Sequence, residues 1–339
     1  MEREEFPYKK VDINPDELWE NAVTRDVANV RIFNGNLPRN SLPKNYNWLF
    51  KEQRVVIAVD ADGYTVVDRL TDYFTEEARM TANRSMCISP YDYYTQNYES
   101  IIRKARFRKE SDVVKDRPLR YYLENILYED SVACTNFKIS LTKCVAKYFK
   151  AKKILDPSAG WGDRMLGAAA AGVDCYHSVD PNPKLIKGYE EIRNFLSTKG
   201  VDINNFTMYP ADFLKVDLQN NAYDLVFTSP PFFDYEIYYT GTESENARQS
   251  ITNRKDLRTW FNDFFSEYLN KSWKALIVGG HMVLYISDIP GGTFITDMIN
   301  YVSNVLGGEH LGVIAVCNLS NKTELAFKPQ PMWVWRKNK

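Results

Sequence analysis

The chain has 339 residues, of which 44% are hydrophobic, with 43 Lys plus Arg against 44 Asp plus Glu. The length fits one large domain with an appendage or two domains. The hydrophobic content excludes a disordered chain. No sequence repeat of 20–50 residues is present, which excludes a solenoid. The net charge of −1 excludes a globally basic coat for nucleic acid but permits a local basic groove.

The first 130 residues predict a mixture of strands and helices. Two alternating apolar runs flank Asp62-Gly63 in RVVIAVDADGYTVVDRL, and this pattern predicts a β-hairpin with a two-residue turn. The stretches NPDELWENAVTR and TDYFTEEARMTAN predict helices, with Asn or Thr available as caps. We therefore predict an α+β accessory region over residues 1–130, followed by a second domain over residues 131–339.

A basic segment at residues 103–120 carries eight Lys or Arg against three acids. Three of the cations recur at helical spacing, so we predict that they bind the phosphates of a nucleic acid: Arg103, Arg106 and Lys109. Tyr121 and Tyr122 follow and offer stacking surfaces of the kind used for unpaired bases. The alternative interpretation of the same charges is a solvated helix face.

From about residue 150 onward, short apolar runs alternate with helical patterns. This alternation predicts βαβ units around a doubly wound, mostly parallel sheet of seven strands. The last two apolar runs have no helix between them and predict a terminal hairpin. The expected fold class is therefore α/β with an N-terminal α+β accessory region.

The segment ILDPSAGWGDR predicts the first turn from strand to helix of such a sheet, where ligands bind. A dinucleotide site requires GxGxxG, but Gly167 comes too late and Asp163 places negative charge near the phosphates, so a nicotinamide dehydrogenase is disfavoured. An acidic strand end suits a ligand with an ammonium and a sulfonium, which describes S-adenosylmethionine. We predict that the cofactor contacts Asp156, Ser158, Gly160 and Gly162.

Two further strand ends agree with this cofactor. Asp180 ends the next predicted strand, and its carboxylate can accept hydrogen bonds from two ribose hydroxyls. Asp212 ends the third, placed to accept from an adenine amino group, with Phe213 beside it for stacking. Each acid alone is more often a helix cap, whereas three in register with a glycine loop favour a cofactor pocket.

The predicted reacting centre is Ser229-Pro230-Pro231-Phe232, directly after the strand LVF. The prolines fix the backbone, so the Ser229 hydroxyl and the Pro230 carbonyl can both accept from an exocyclic amino group stacked on Phe232. Holding both N–H bonds favours pyramidalisation of the amine and directs its lone pair at a methyl sulfonium, without a strong general base. The alternative is a Pro-Pro strand terminator with buried aromatics.

These segments resemble known motifs. TSPPFFDYEIY and DPSAGWGDR are similar to motifs IV and I of the class I amino-methyltransferases, and with VDPNP they resemble DNA-modification methyltransferases of phages and large DNA viruses. The resemblance implies a Rossmann-like methyltransferase fold with the catalytic domain at 131–339. Residues 1–130 are left over before this core, and we expect them to recognise the substrate. CTNFKISL resembles motif X, which implies that Thr135, Asn136 and Phe137 line the cofactor's carboxylate end.

Serine in the first position of motif IV resembles enzymes acting on cytosine N4 more than those acting on adenine N6. The long polar segment after the motif is typical of a loop that closes over substrate. Within it we expect three residues to lie nearest the target base, Asp234, Glu236 and Tyr238. A solvated loop held by its tyrosines is the alternative.

The leading hypothesis is S-adenosylmethionine-dependent methyl transfer to an exocyclic amino group, cytosine N4 or adenine N6, of a base in DNA, which must be extruded from the duplex or single-stranded. An RNA adenine N6 methyltransferase and a catalytically silent nucleic-acid scaffold are the alternatives. We expect DNA to be preferred over RNA and no metal to be bound. Short apolar runs, a charged N-terminus and scattered Cys without a CxxC pair favour a cytoplasmic or intracellular protein that is not secreted and binds no membrane.

Overall fold

The computed structural model describes residues 4–33, 54–84, 87–114, 116–234, 238–239, 248–252, 254, 256–288, 293–320 and 324–339. The strands are β1 (Ala28–Phe33), β2 (Arg54–Asp60), β3 (Asn83–Arg84), β4 (Lys153–Asp156), β5 (Cys175–Val179), β6 (Phe206–Tyr209), β7 (Tyr223–Thr228), β8 (Tyr238–Tyr239), β9 (Leu276–Tyr285), β10 (Glu309–Ser320) and β11 (Glu324–Arg336).

The α-helices are α1 (Pro15–Thr24), α2 (Leu70–Met80), α3 (Pro90–Gln96), α4 (Tyr98–Ser111), α5 (Leu119–Asp130), α6 (Ile139–Tyr148), α7 (Asp163–Ala170), α8 (Ile186–Thr198), α9 (Leu257–Trp260), α10 (Ser266–Ala275) and α11 (Ile295–Asn300). Short 3₁₀ turns occupy Lys9–Asp12, Pro183–Leu185, Ile203–Asn205 and Phe213–Lys215, and π-helical turns occupy Tyr64–Asp68, Phe261–Phe265 and Tyr301–Val305. No helix in these described ranges is long and apolar enough to cross a membrane.

One large sheet organises the molecule, with the strand order β1-β2-β10-β11-β9-β7-β4-β5-β6. The five strands from β9 to β6 run parallel, and β11 is antiparallel to both β9 and β10. The seven strands that the sequence predicts after residue 150 all lie in this sheet, and β10 and β11 form the predicted closing hairpin. The expected α/β class with a mostly parallel sheet is therefore confirmed.

Buried side chains alternate between the two faces of the sheet, as the two-residue period of a strand requires. On β4, Ile154 belongs to one hydrophobic cluster and Leu155 to the other. Helices α1, α6, α7 and α8 pack on the first face, whereas α10 and α11 pack on the second. Helices on both faces make the sheet doubly wound and leave its strand ends open to form a site.

The predicted hairpin around Asp62-Gly63 is wrong. A two-residue hairpin turn of that type needs positive φ at both central residues, but Gly63 has φ −53° and precedes a π-helical turn that leads into α2. The backbone N–H groups of Thr65 and Val66 both donate to the Asp62 carbonyl, which starts this helical path. The antiparallel partner of β2 is instead β1, with Val30 opposite Ile57.

The N-terminal region is built into the main sheet. Strand β2 pairs in parallel with β10, and buried side chains from one face each of β2, α1 and α2 belong to the cluster on the first face of the sheet. Helices α3, α4 and α5 have their own smaller cluster, which includes Ile101 and Ile126. Residue 130 is thus no boundary between hydrophobic cores, and the assignment of residues 1–130 to substrate recognition stays a prediction.

Candidate active site

The predicted motifs meet at the edge of the sheet where the parallel strands β4, β5 and β7 end. The backbone N–H of Gly160, after β4, donates to Asp180 Oδ2 after β5 at 3.0 Å. The Ser158 hydroxyl lies 2.8 Å from the hydroxyl of Tyr268, which is 3.4 Å from the Thr228 hydroxyl at the end of β7. Through the Tyr268 hydroxyl, the glycine loop is therefore connected to the strand end that precedes the Ser-Pro-Pro-Phe segment.

The glycine loop has a backbone that other residues tolerate poorly. Gly160 has φ +62° and Gly162 has φ +107°, both in the region that favours glycine. A Cβ on Gly162 would also come within 2.5 Å of Ile192 Cδ1 on α8. The Tyr189 hydroxyl of α8 donates to the Ala159 carbonyl at 2.9 Å, so a hydrogen bond from α8 fixes the backbone of the loop.

Asp156 does not offer the free negative charge that the sequence argument requires. Its fully buried carboxylate accepts from Arg164 Nε at 2.7 Å and from the Tyr176 hydroxyl at 2.6 Å, and Arg164 also donates to the Ser158 carbonyl. Burial lowers the pKa of the Arg164 guanidinium, but Asp156, Tyr176 and Tyr189 together outweigh this effect, and the net pKa lies above its ordinary value. Asp156 therefore shapes the loop through Arg164, and its contact with a cofactor stays a prediction.

Asp180 lies beside the glycine loop, and its contact with the cofactor's ribose stays a prediction. Its two carboxylate oxygens accept from the backbone N–H groups of Gly160 and Asn182, at 3.0 and 2.9 Å. Burial raises the pKa of Asp180 to about 6, while these two hydrogen bonds oppose the rise. Each oxygen keeps lone pairs, so the carboxylate can still accept from two ligand hydroxyls.

Asp212 and Phe213 follow β6 at the same edge. Asp212 Oδ1 accepts from the Leu214 backbone N–H at 3.0 Å and so caps the 3₁₀ turn, while Lys215 Nζ lies 3.8 Å from its other oxygen. Phe213 is buried, and its ring centroid lies 5.0 Å from that of Tyr268. The helix-cap alternative therefore describes Asp212 in this structure, and its contact with an adenine stays a prediction.

The Ser-Pro-Pro-Phe segment leaves β7 with a defined hydrogen bond. The Ser229 hydroxyl donates to the Tyr285 carbonyl of β9 at 3.2 Å, so its lone pairs remain available to accept from a ligand. Pro230 is buried, Pro231 is half-buried and Phe232 is buried in the cluster on the second face. Phe233 then adopts φ +48°, a strained conformation of the kind that clusters at functional sites.

The segment before α6 reaches the same place. The Phe137 ring lies 5.8 Å from Phe227 and 5.2 Å from Tyr285, and the Arg164 guanidinium lies 5.0 Å above it. Asn136 Nδ2 donates to Asp72 Oδ1 at 2.8 Å, whereas its Oδ1 is buried without a hydrogen-bond partner. A buried acceptor without a partner is costly, and this oxygen is free to accept from a donor on a ligand or a water molecule. Thr135 is exposed.

The predicted phosphate-binding residues lie on α4, in the separate helical cluster. Arg103 and Arg106 are exposed and Lys109 is half-buried. Two cations of the same helix pair with acids of α5, Lys104 with Asp130 at 2.7 Å and Arg108 with Glu129 at 2.6 Å. These pairs reduce the positive charge of α4, in line with the solvated-face alternative for that part of the segment.

The loop residues after the motif are described only in part. Asp234 is exposed, Glu236 lies outside the described residues, and the backbone of Tyr238 belongs to β8. Strand β8 pairs with β3, with Tyr238 opposite Arg84. Strand β8, which follows the Ser-Pro-Pro-Phe segment, is thereby paired with the N-terminal region.

Sequence reasoning missed several residues that build the site: Arg164, Tyr176, Tyr189 and Tyr268. Arg164 had a visible signal, because it stands inside GWGDR, one helical turn past the glycines. Tyr268 had none, since it lies 40 residues from Thr228 along the chain and comes from a helix on the second face.

No protein-family model and no curated protein matches this chain. Among solved structures, the tRNA (m1A58) methyltransferase TrmI from Aquifex aeolicus is 12% identical, covering 58% of this chain and 68% of its own, with a TM-score of 0.37. TehB from Haemophilus influenzae is 16% identical, and the match covers 62% of this chain and 64% of TehB, with a TM-score of 0.38. A SAM-dependent methyltransferase from Aquifex aeolicus is 12% identical, and the match covers 57% of this chain and 88% of that protein, with a TM-score of 0.35. Likenesses this remote identify no substrate for this chain.

Proposed function

We propose that the chain is an S-adenosylmethionine-dependent methyltransferase that acts on an exocyclic amino group of a base in DNA. The observation that carries the proposal is the state of Ser229. Because its hydroxyl hydrogen is directed at the Tyr285 carbonyl, its oxygen is left as an acceptor at the sheet edge that also holds Asp180 and the glycine loop.

The residues at the edge fit the cofactor. Asp180 would accept from the two ribose hydroxyls, and the loop around Gly160 would lie along the cofactor's chain. The buried, unpartnered Oδ1 of Asn136 would accept from the cofactor's ammonium group. When bound, S-adenosylmethionine supplies an electrophilic methyl group on its sulfonium.

The chain's own part in the reaction is to position the amine. Ser229 Oγ and the Pro230 carbonyl would each accept one hydrogen of the amino group, which directs its lone pair at the methyl group. Phe232 would pack against the base from the aromatic cluster. This is catalysis by orientation and fixed dipoles. It requires acceptors rather than a strong base, because the methylated amino group is acidic and can release its extra proton to solvent.

One feature favours a nucleic acid as the substrate and another favours the target atom, while the choice of DNA rests on the resemblance of TSPPFFDYEIY to the motif of DNA-modification methyltransferases. The exposed Arg103 and Arg106 on α4 supply positive charge for phosphates. Serine is a weaker acceptor than the carboxylate of the Asp-Pro-Pro motifs, which favours cytosine N4 over adenine N6. A single-stranded or extruded base meets the requirement that the amine leave the duplex.

The test is transfer of a labelled methyl group to single- and double-stranded DNA and RNA, followed by mass spectrometry of the nucleosides. We expect label in N4-methylcytosine or N6-methyladenine from DNA, and a loss of at least about 100-fold in rate for Ser229→Ala. Ser197→Ala on the exposed face of α8 is the matched control and should retain full activity. Label found in RNA alone would replace DNA as the substrate, and failure of the wild-type chain to bind the cofactor in calorimetry would reject the activity.

A further inference from the structure

Tyr268 links the two halves of the site through one hydroxyl group. The residue comes from α10 and is 1% exposed. Its hydroxyl lies 2.8 Å from Ser158 Oγ, in the glycine loop, and 3.4 Å from Thr228 Oγ1, directly before Ser229. One phenol thus contacts the segment proposed to hold the methyl donor and the strand end that presents the acceptor.

The ring of Tyr268 is held firmly. Its centroid lies 5.0 Å from that of Phe213, 5.7 Å from Phe264 and 6.0 Å from Phe265. Burial raises the pKa of the phenol above its ordinary value, so the hydroxyl stays protonated and can both donate and accept. A rigid ring with a bifunctional tip can fix the distance between its two partners.

The backbone pairing between β4 and β7 stops before the site. Ile154 pairs with Leu225 and Leu155 with Val226, and this register extends no further toward Ser158 and Thr228 among the described residues. Beyond that point the Tyr268 hydroxyl joins the two segments side chain to side chain.

We propose that Tyr268 is a positioning residue which sets the separation between the cofactor's methyl group and the target amine. The proposal rests on the proposed function, because it assigns the glycine loop to the donor and the Ser229 segment to the acceptor. Methyl transfer needs the reacting atoms about 3–3.5 Å apart, and a displacement of about 1 Å can cost about 100-fold in rate. Loss of the Tyr268 hydroxyl should therefore slow methyl transfer more than it weakens binding of the cofactor.

The test compares Tyr268→Phe with Tyr223→Phe. Tyr223 is a matched control because it is 3% exposed, lies in the same hydrophobic cluster and bonds one side chain, His177 Nδ1 at 2.7 Å, at the opposite end of β7. We expect similar losses of Tm for both variants. Only Tyr268→Phe should lower kcat, by at least about 10-fold, with the cofactor Kd within about threefold of wild type.

Thr228 provides an independent arm that leaves the tyrosine intact. Thr228→Val removes the second hydroxyl and should reproduce the kcat loss, whereas Thr228→Ser keeps the hydroxyl and should retain activity. The double variant Tyr268→Phe/Thr228→Val should lose little more than either single variant, because both remove the same link.

The outcomes separate the two proposals. A wild-type chain that neither binds the cofactor nor transfers methyl groups rejects the proposed function and this inference with it. If the wild type transfers methyl groups and Tyr268→Phe has the kcat of Tyr223→Phe, the positioning role alone is rejected. Equal losses of cofactor affinity and kcat would also overturn it, since Tyr268 would then only shape the cofactor loop.

Discussion

At the scale of single residues, the chemistry of the site depends on which carboxylates are already paired with a cation of the protein. The sequence predicted three acids at the sheet edge, and the structure places Asp180 beside the glycine loop, where its contact with the cofactor stays a prediction. The sequence could not predict that Asp156 is bonded to Arg164, because a strand end gives no information on which cation folds back onto it. Burial and hydrogen bonding, rather than residue type, decide whether an acid can serve a ligand.

Asp163 at the start of α7 should make stability depend on pH. Its carboxylate accepts a hydrogen bond from the Thr71 hydroxyl at 2.7 Å. Burial is the main cause that raises the pKa of Asp163 to about 7, and the negative charges of Asp72 and Asp68 add to the rise. The Thr71 hydrogen bond and the charge of Arg164 oppose it. The folded chain therefore binds this proton more tightly than the unfolded chain, whose Asp titrates at its ordinary pKa near 3.8. The stabilisation is complete below about pH 4 and is lost as pH rises to about 7.

We expect Asp163→Asn to keep an oxygen that accepts from the Thr71 hydroxyl and to remove the loss of stability between pH 4 and pH 7. The variant should be more stable than wild type at pH 8, by on the order of 2 kcal/mol, and the difference should vanish near pH 4. Urea unfolding across this range measures it, with the exposed Asp174→Asn as the control. A pH profile that is the same for Asp163→Asn and wild type would contradict the assignment.

At the scale of elements, helix starts were easier to predict than turns. Asn14 accepts from the Glu17 backbone N–H at 3.3 Å and caps α1, with Pro15 in the first turn, as the sequence NPDELW indicated. The Asp62-Gly63 turn was misassigned because Val67 and Leu70, which looked like alternating strand residues, are buried at the spacing of a helical turn. Short apolar runs are compatible with both periods, and only the partner surfaces decide between them.

Helix α2 has a role that its sequence did not show, because it supports the glycine loop from the N-terminal region. The Thr75 hydroxyl donates to the Trp161 carbonyl at 2.8 Å, and a Cβ on Gly188 of α8 would come within 2.5 Å of Thr75 Cγ2. The loop is therefore enclosed between α2 and α8.

Thr75→Val should loosen the loop, since it leaves the buried Trp161 carbonyl without this donor. We expect a loss of about 1–2 kcal/mol in the free energy of unfolding and a several-fold weaker cofactor Kd in calorimetry. Thr81→Val is the control, because among the described residues the Thr81 hydroxyl donates to carbonyls of its own helix, those of Glu77 and Ala78. If both variants weaken cofactor binding equally, the contact with the loop is not the cause.

At the scale of the whole molecule, the order of strands follows from rules that the sequence already obeys. Strands that alternate with helices form a parallel sheet by right-handed crossovers, so the carboxyl ends of β4, β5 and β7 gather at one edge without any information on side chains. The addition of β1 and β2 beyond β10 carried no such signal, because it depends on pairing between residues far apart in the chain.

The shared sheet predicts a single cooperative unit. In native-state hydrogen exchange, we expect the amides of β2 and of β4 to exchange with the same global free energy of unfolding. Amides of α4 and α5, which pack in their own small cluster, should exchange at a lower free energy. Exchange of β2 at a clearly lower free energy than β4 would instead indicate an independently unfolding N-terminal domain.

The parallel pairing of Val56 with Ala315 also has a consequence for synthesis on the ribosome. Strand β2 leaves the ribosome about 250 residues before its neighbour β10, so one edge of β2 stays unpaired during that interval. Contacts between such distant residues slow folding, and an apolar waiting edge is a site for aggregation. Chaperones that shield nascent strands should therefore raise the yield of this chain more than that of a protein with only local pairing.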